Sequence, residues 1–241
     1  MPENAFNILL LIARPAAGKS EIIDYLKHTP TAERIQRFHV GDFEELDDFP
    51  MLWIWFEEDE ILEQMGKPRL HTDSKGYFKY EYLWDLLIRR ISLDYKKALR
   101  DQPNFHQSKT MLIEFSRGNQ HGGFKQAFNQ MEKDILGQMA VLYVNVSWQE
   151  SLRKNRARYN PERPDSILEH GLSDEKMESL YRGSDWTEIS AQNNGFLKVQ
   201  GIQVPYAIFE NEDDVTTERG AALGQRLEET LNILWQRYQK K

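Results

Sequence analysis

Residues 7 to 20 read NILLLIARPAAGKS, an apolar run that turns into Gly18-Lys19-Ser20 and then into a segment with helical spacing at Ile22, Ile23 and Leu26. The continuous apolar run suits a strand buried on both faces, and the helix that follows starts with amides that have no intrahelical acceptor. Amides of that kind, backed by the positive end of the helix dipole, form a concavity for phosphate oxygens. The expected cradle is Arg14, Ala16, Ala17, Gly18, Lys19, Ser20 and Glu21. Lys19 would reach the β and γ phosphates, and the Ser20 hydroxyl would hold a magnesium ion, so the expected ligand is ATP with Mg2+. This is the P-loop arrangement with one departure. The pattern GxxxxGKS/T starts with glycine, whereas this chain has Ala13, which can serve if φ stays negative there; Gly18 stands where the backbone must approach phosphate closely.

Composition narrows what surrounds this corner. At 241 residues with 40% hydrophobic side chains, the chain is long enough for one large α/β domain or two small ones. We read one domain over 1–241, because no linker-like stretch separates two halves. No apolar stretch is long enough to span a bilayer, and Met1 to Asn7 lacks the basic start and apolar core of a signal peptide. A cytoplasmic location without a membrane partner is expected. The chain has no cysteine, which excludes disulfides, thiolate nucleophiles and cysteine metal sites. A net charge of −7 disfavours nucleic acid as a partner and fits a small ligand held in a pocket. The histidines form no HExxH pair, and neither a GxSxG elbow nor an NKxD motif is present.

Buried strands are expected at 7–13, 35–41, 110–115, 140–146 and 204–209, separated by helical periodicity, the pattern of a parallel sheet covered on both faces. A helical insertion occupies about 44–104, and its second half, from Tyr80 to Leu99, reads as one amphipathic helix. A lid-like segment follows at about 149–186: a basic helix, a proline-containing loop and a second helix starting near Ser173. Residues 194–204 predict a small hairpin leading into the last strand, and Leu223, Leu227, Leu231, Leu234 and Tyr238 form the apolar stripe of a closing helix.

With this P-loop, insertion and lid, the chain resembles the P-loop kinases of the nucleoside, nucleotide and small-molecule kinase group. The resemblance covers most of the chain as architecture, and its specific motif is the P-loop. It implies a three-layer αβα sandwich around a five-stranded parallel sheet. In that group the strand with the second acidic motif lies beside the P-loop strand; here it is Thr110 to Glu114, which puts Glu114 near the magnesium ion. Glutamate followed by Phe115-Ser116-Arg117-Gly118 is more similar to deoxynucleoside-type kinases than to motor ATPases.

The resemblance also implies a carboxylate after the second strand to orient the acceptor hydroxyl and take its proton, a role that falls on Asp42. The other reading of Asp42 is a turn or helix cap, and Glu44, Glu45, Asp47 and Asp48 are close enough to take the role instead. Arg153, Arg156, Arg158 and Arg163 fall in the lid, where a guanidinium would stabilise charge on the transferred phosphoryl group; the other reading is a solvated helix face. Arg117 would bind an anionic substrate or pair with a carboxylate. Asn211, after the last strand, would be a wall of the adenine pocket or would stabilise a turn. Trp53, Trp55, Phe56, Tyr77, Phe78, Tyr80, Tyr82 and Trp84 would stack on a planar substrate or form core. The expected function is ATP-dependent phosphoryl transfer to a small-molecule acceptor, a nucleoside or nucleotide included. The alternatives are a non-catalytic nucleotide-binding regulator and a slow ATPase.

Overall fold

The computed structural model describes residues 4–159, 162, 171–191 and 194–241. Its strands are β1 (Ile8–Ala13), β2 (Asp42–Asp47), β3 (Lys109–Phe115), β4 (Met139–Asn145), β5 (Phe196–Val199) and β6 (Ile202–Glu210). The helices are α1 (Lys19–His28), α2 (Thr31–Phe38), α3 (Phe49–Gln64), α4 (Tyr82–Asp101), α5 (Phe105–Ser108), α6 (Gly123–Gln130), α7 (Lys133–Gln138), α8 (Trp148–Arg158), α9 (Asp174–Tyr181), α10 (Trp186–Ser190), α11 (Val215–Glu218) and α12 (Ala221–Tyr238), with a 3₁₀ turn at Asn119–His121.

One six-stranded sheet runs in the order β2-β3-β1-β4-β6-β5. Five strands are parallel, and β5 pairs antiparallel with β6 at one edge. Side chains alternate across β1, so Ile8, Leu10 and Ile12 pack on one face with Ile88, Ile91, Tyr95, Phe124 and Phe128 of α4 and α6. Leu9, Leu11 and Ala13 pack on the other with Ile22 and Leu26 of α1 and Leu223, Leu227, Leu231 and Leu234 of α12. Being covered on both faces, β1 is buried at every position, which its apolar run anticipates. No helix among the described residues is long and apolar enough to cross a membrane.

Two expectations about the sheet are corrected. The expected strand at 35–41 is the end of α2 and the turn after it; the second strand is Asp42–Asp47. An outermost strand has one hydrogen-bonded neighbour and partly exposed side chains, so DFEELD needs no apolar run to form it. Four bonds from the buried Arg34 guanidinium fix α2 in place: to the carbonyls of Gly41 (3.0 Å), Leu26 (2.8 Å) and Thr29 (3.3 Å), and to the Thr31 hydroxyl (3.2 Å). The sheet also has six strands rather than five, because the hairpin expected at 194–204 adds β5, with Val199 opposite Ile202 and Gly201 turning the chain at φ 84°. The insertion accordingly starts after β2, with α3, and its long second helix is α4.

Candidate functional site

The site lies at the carboxyl edge of the sheet, where β1 passes into α1. Ala13 is a fully buried strand residue paired with Val144 and has no positive φ, so alanine is accommodated where the pattern has glycine. Left-handed residues then alternate with ordinary ones, Ala16 at φ 55° and Gly18 at φ 111°. No side chain caps α1, and its first intrahelical bond is Ile22 N–H to the Gly18 carbonyl, 3.1 Å. The amides of residues 16 to 21 find no acceptor among the described residues. Neighbouring amides without acceptors at a helix N-terminus are a donor set that phosphate oxygens satisfy.

Lys19 Nζ donates to Ser116 Oγ at 2.8 Å, just beyond the end of β3. The strand register sets Glu114 of β3 level with Leu11 of β1 and with Asp47 of β2. Burial pushes the Glu114 carboxyl up, opposed by Lys19 and reinforced by Asp48, Glu45 and Glu21. Asp47 is pushed up to about 8 by burial and then by the charges of Glu114 and Asp48; the Phe49 amide (2.9 Å) and Lys19 act in the opposite direction. Such crowding is what a divalent cation relieves. Among the described residues no three His, Asp or Glu side chains could hold an ion together. Magnesium in phosphate sites needs only one or two protein ligands beside the phosphates, and Ser20 with Glu114 fits that demand.

Asp42 does not reach this centre. It starts β2 opposite Lys109, at the amino edge, largely exposed and 3.7 Å from Arg34. Five residues of extended chain put it about 16 Å from Asp47. The carboxylates at the correct end are Asp47 and Asp48, five and six residues further on, because the strand starts where it was expected to finish.

Arg117 is buried and committed: Nη1 lies 2.6 Å from Asp48 Oδ2 and donates to the Ser116 carbonyl at 2.7 Å, and Nη2 donates to the Trp84 carbonyl at 3.3 Å. Its guanidinium lies over the rings of Trp84 and Phe115, so the carboxylate-pairing reading is the one seen. The exposed Arg153 pairs with the largely covered Glu150 and Asp214, and Arg156 pairs with Asp174 on the surface. Arg158 is half-buried: burial lowers its pKa, and the charges of Glu21 and Glu114 oppose that. Arg163 lies outside the described residues. Arg14 stands beside the cradle and donates to the carbonyls of Tyr181 and Arg182 at the end of α9, which ties the loop to the second helix of the lid-like segment.

Asn211 is fully buried and turned towards the loop: its Nδ2 donates to the Ala17 carbonyl and to Thr216 Oγ1, both at 2.8 Å. The insertion aromatics pack on one another, Trp55 on His71 and on Phe78, Phe56 on Phe78, and Phe78 on Trp84, which stacks on His121 at 3.7 Å; they are half-buried, with Tyr80 and Tyr82 exposed, and lie outside both core clusters, so the core reading is not what the structure shows. The fully buried Asp59 accepts from the amides of Leu70, His71 and Thr72 and from the Thr72 hydroxyl, which fastens α3 to the loop after it. Sequence reasoning did not single out Ser116, Ser151, Lys154 or Thr216. Ser116 is the one with a local signal, standing two residues beyond Glu114.

No family model matches the chain, and no curated protein does. Among solved structures it is similar to the shikimate kinase of Acinetobacter baumannii in complex with shikimate, at 12% identity and a TM-score of 0.32, over 73% of this chain and 76% of that one. It is also similar to the protein APE1195, at 13% identity and a TM-score of 0.42, over 96% of this chain and 99% of that one.

Proposed function

We propose that the protein is an ATP-dependent phosphotransferase acting on a small-molecule acceptor. One observation carries the reading: the six amides of residues 16 to 21 have no acceptor among the described residues, the Lys19 ammonium lies against Ser116 beyond the end of β3, and the Glu114 and Asp47 carboxylates stand level at the ends of neighbouring strands. Phosphoryl transfer is largely positioning and charge stabilisation, and these groups supply both. The amides and Lys19 hold the polyphosphate, and Ser20 and Glu114 hold the magnesium ion, which neutralises charge between the phosphates. Arg158 adds positive charge from the lid side. Asp47 takes the place first assigned to Asp42: it orients the acceptor hydroxyl and accepts its proton. The acceptor is a small molecule rather than a nucleic acid, and the reaction is cytoplasmic.

Melting curves with Mg-ATP, followed by transfer assays over sugars, nucleosides, nucleotides and amino alcohols, test the proposal. Mg-ATP should raise the melting temperature, and Lys19→Ala should lower affinity or turnover about a hundredfold or more. Asp47→Asn should keep nucleotide binding and lose transfer. Unaltered ATP binding and turnover in Lys19→Ala refute the site. Binding with no acceptor phosphorylated makes the protein a nucleotide-binding regulator, and phosphate release without acceptor makes it a slow ATPase.

A further inference from the structure

A trans peptide unit is planar, with its carbonyl and the following N–H pointing to opposite sides. A carbonyl clamped from outside a loop therefore aims the next amide inwards. Two carbonyls of this loop are clamped so. Ser151 Oγ, from α8, donates to the Pro15 carbonyl at 2.8 Å, and Asn211 Nδ2, from the segment after β6, donates to the Ala17 carbonyl at 2.8 Å. The amides that follow are those of Ala16 and Gly18, the two left-handed residues of the turn, and neither has an acceptor among the described residues.

Both clamps are built into buried structure. Ser151 and Asn211 are fully buried. Thr216 Oγ1 accepts from Asn211 at 2.8 Å and from Lys154 Nζ at 3.1 Å, and Lys154 also donates to Asp214 at 2.5 Å. A Cβ on Gly18 would come within 2.6 Å of Thr216 Oγ1 and 2.7 Å of Asn211 Nδ2, so glycine is what lets the second clamp close. Ala16 has no such freedom: a left-handed alanine is held by its surroundings rather than preferred.

We infer that Ser151 and Asn211 are positioning residues of the phosphate site, each turning one amide, of Ala16 and of Gly18 respectively, towards a polyphosphate oxygen. This rests on reading residues 16 to 21 as the phosphate cradle. Neither side chain touches the ligand. The clamp on Pro15 has a second consequence, since α8 also carries Arg158: the helix that holds the loop in shape is the one that brings a guanidinium towards Glu114.

The test uses the full chain and inorganic pyrophosphate and Mg-ATP as probes, with amide exchange followed residue by residue by NMR. In the wild-type protein either probe should slow exchange at Ala16 and Gly18. Ser151→Ala should weaken binding about tenfold and lose the protection at Ala16 while keeping it at Gly18. Asn211→Ala should do the reverse, and Ser151→Thr, which keeps the donor, should restore affinity. A general loosening of the fold would move both amides together, and that result overturns the inference, as does wild-type affinity in both alanine variants. The wild-type pattern tests the geometry even where a variant does not fold, because protection at Ala17 instead of Ala16 and Gly18 contradicts it. A wild-type protein that binds neither probe removes the phosphotransferase reading as well. Normal binding with indifferent variants removes the inference alone.

Discussion

The ion pair between Asp48 and Arg117 makes a quantitative prediction. The charged atoms are 2.6 Å apart and the side chains are 7% and 2% exposed, so water screens the pair little. At an effective dielectric constant of about 20 their attraction is worth about 4–6 kcal/mol, and desolvation of the two ions offsets much of it. Removing Asp48 leaves a buried guanidinium against the Ser116 and Trp84 carbonyls and two ring faces, without its carboxylate. Asp48→Ala should therefore lower unfolding stability by about 3–5 kcal/mol, and Arg117→Met by a comparable amount. Replacing both, as Asp48→Leu with Arg117→Met, fills the site with apolar volume and leaves no orphan charge. Its loss should fall short of the summed single losses by about 2–3 kcal/mol. Urea unfolding at unchanged m-value measures all three. Additivity within about 0.5 kcal/mol would show that the two groups do not feel each other, against the reading of Arg117 as a structural cation.

Three further outcomes follow from individual residues. Gly18→Ala combines left-handed strain with the close approach to Thr216 and Asn211, for a loss of about 2–4 kcal/mol, whereas Gly201→Ala, at φ 84° with nothing within 4 Å, should lose only about 1 kcal/mol; equal losses in urea would show that crowding at Gly18 is immaterial. Burial would raise the Asp59 carboxyl, but the donors from Leu70, Thr72 and His71 outweigh it and hold the group at about 2. A depressed acid stabilises above its unfolded pKa near 3.9, so about 2 kcal/mol should be lost as pH falls from about 4 to 2, and Asp59→Asn should flatten that part of the stability curve. Burial, and then the charge of Arg117, hold His121 down to about 3. The folded state then binds fewer protons than the unfolded, so stability should fall between about pH 6.5 and 3; His121→Phe should remove that slope, and ring resonances that titrate near pH 6.5 would contradict the assignment.

How much of the fold a sequence discloses depends here on where each strand sits in the sheet. The segments of β1, β3 and β4 are apolar because both faces are covered, and their runs locate them within a residue or two. β2 has one neighbour, and its acidic side chains leave no periodic mark that separates it from a loop. The error at 35–41 has a related cause. Ile35 and Phe38 are spaced for a helix, but Val40 extends the apolar impression past its end, and the contact that ends the ambiguity, Arg34 to the Gly41 and Leu26 carbonyls, is tertiary. The error then passed to the site: a strand placed seven residues early put the expected carboxylate at Asp42, at the wrong edge of the sheet.

The loop itself was legible because consecutive amides make it, and Glu114 because it ends an apolar run. The arginines of α8 were harder to sort, although helical geometry separates their faces. Ser151, Lys154, Asn155 and Arg158 stand at i, i+3, i+4 and i+7, one face of α8, and the first three are the residues this helix buries. Arg153 and Arg156 project from the other side into ion pairs. The buried face leaves no apolar periodicity in the sequence, being a stripe of serine, lysine, asparagine and arginine. Among the described residues, that face contributes no residue to either apolar core cluster. What it meets is polar: the Pro15 carbonyl, Thr216 Oγ1 with Asp214, and the backbone of Leu172. Burying polar groups without apolar gain is costly unless each finds a partner, so the register of α8 is fixed by the loop and the segments it bonds rather than by the core. In α8, then, the dependence is reversed: the loop between β1 and α1 must be placed first, and the polar stripe that bonds to it can be read only afterwards.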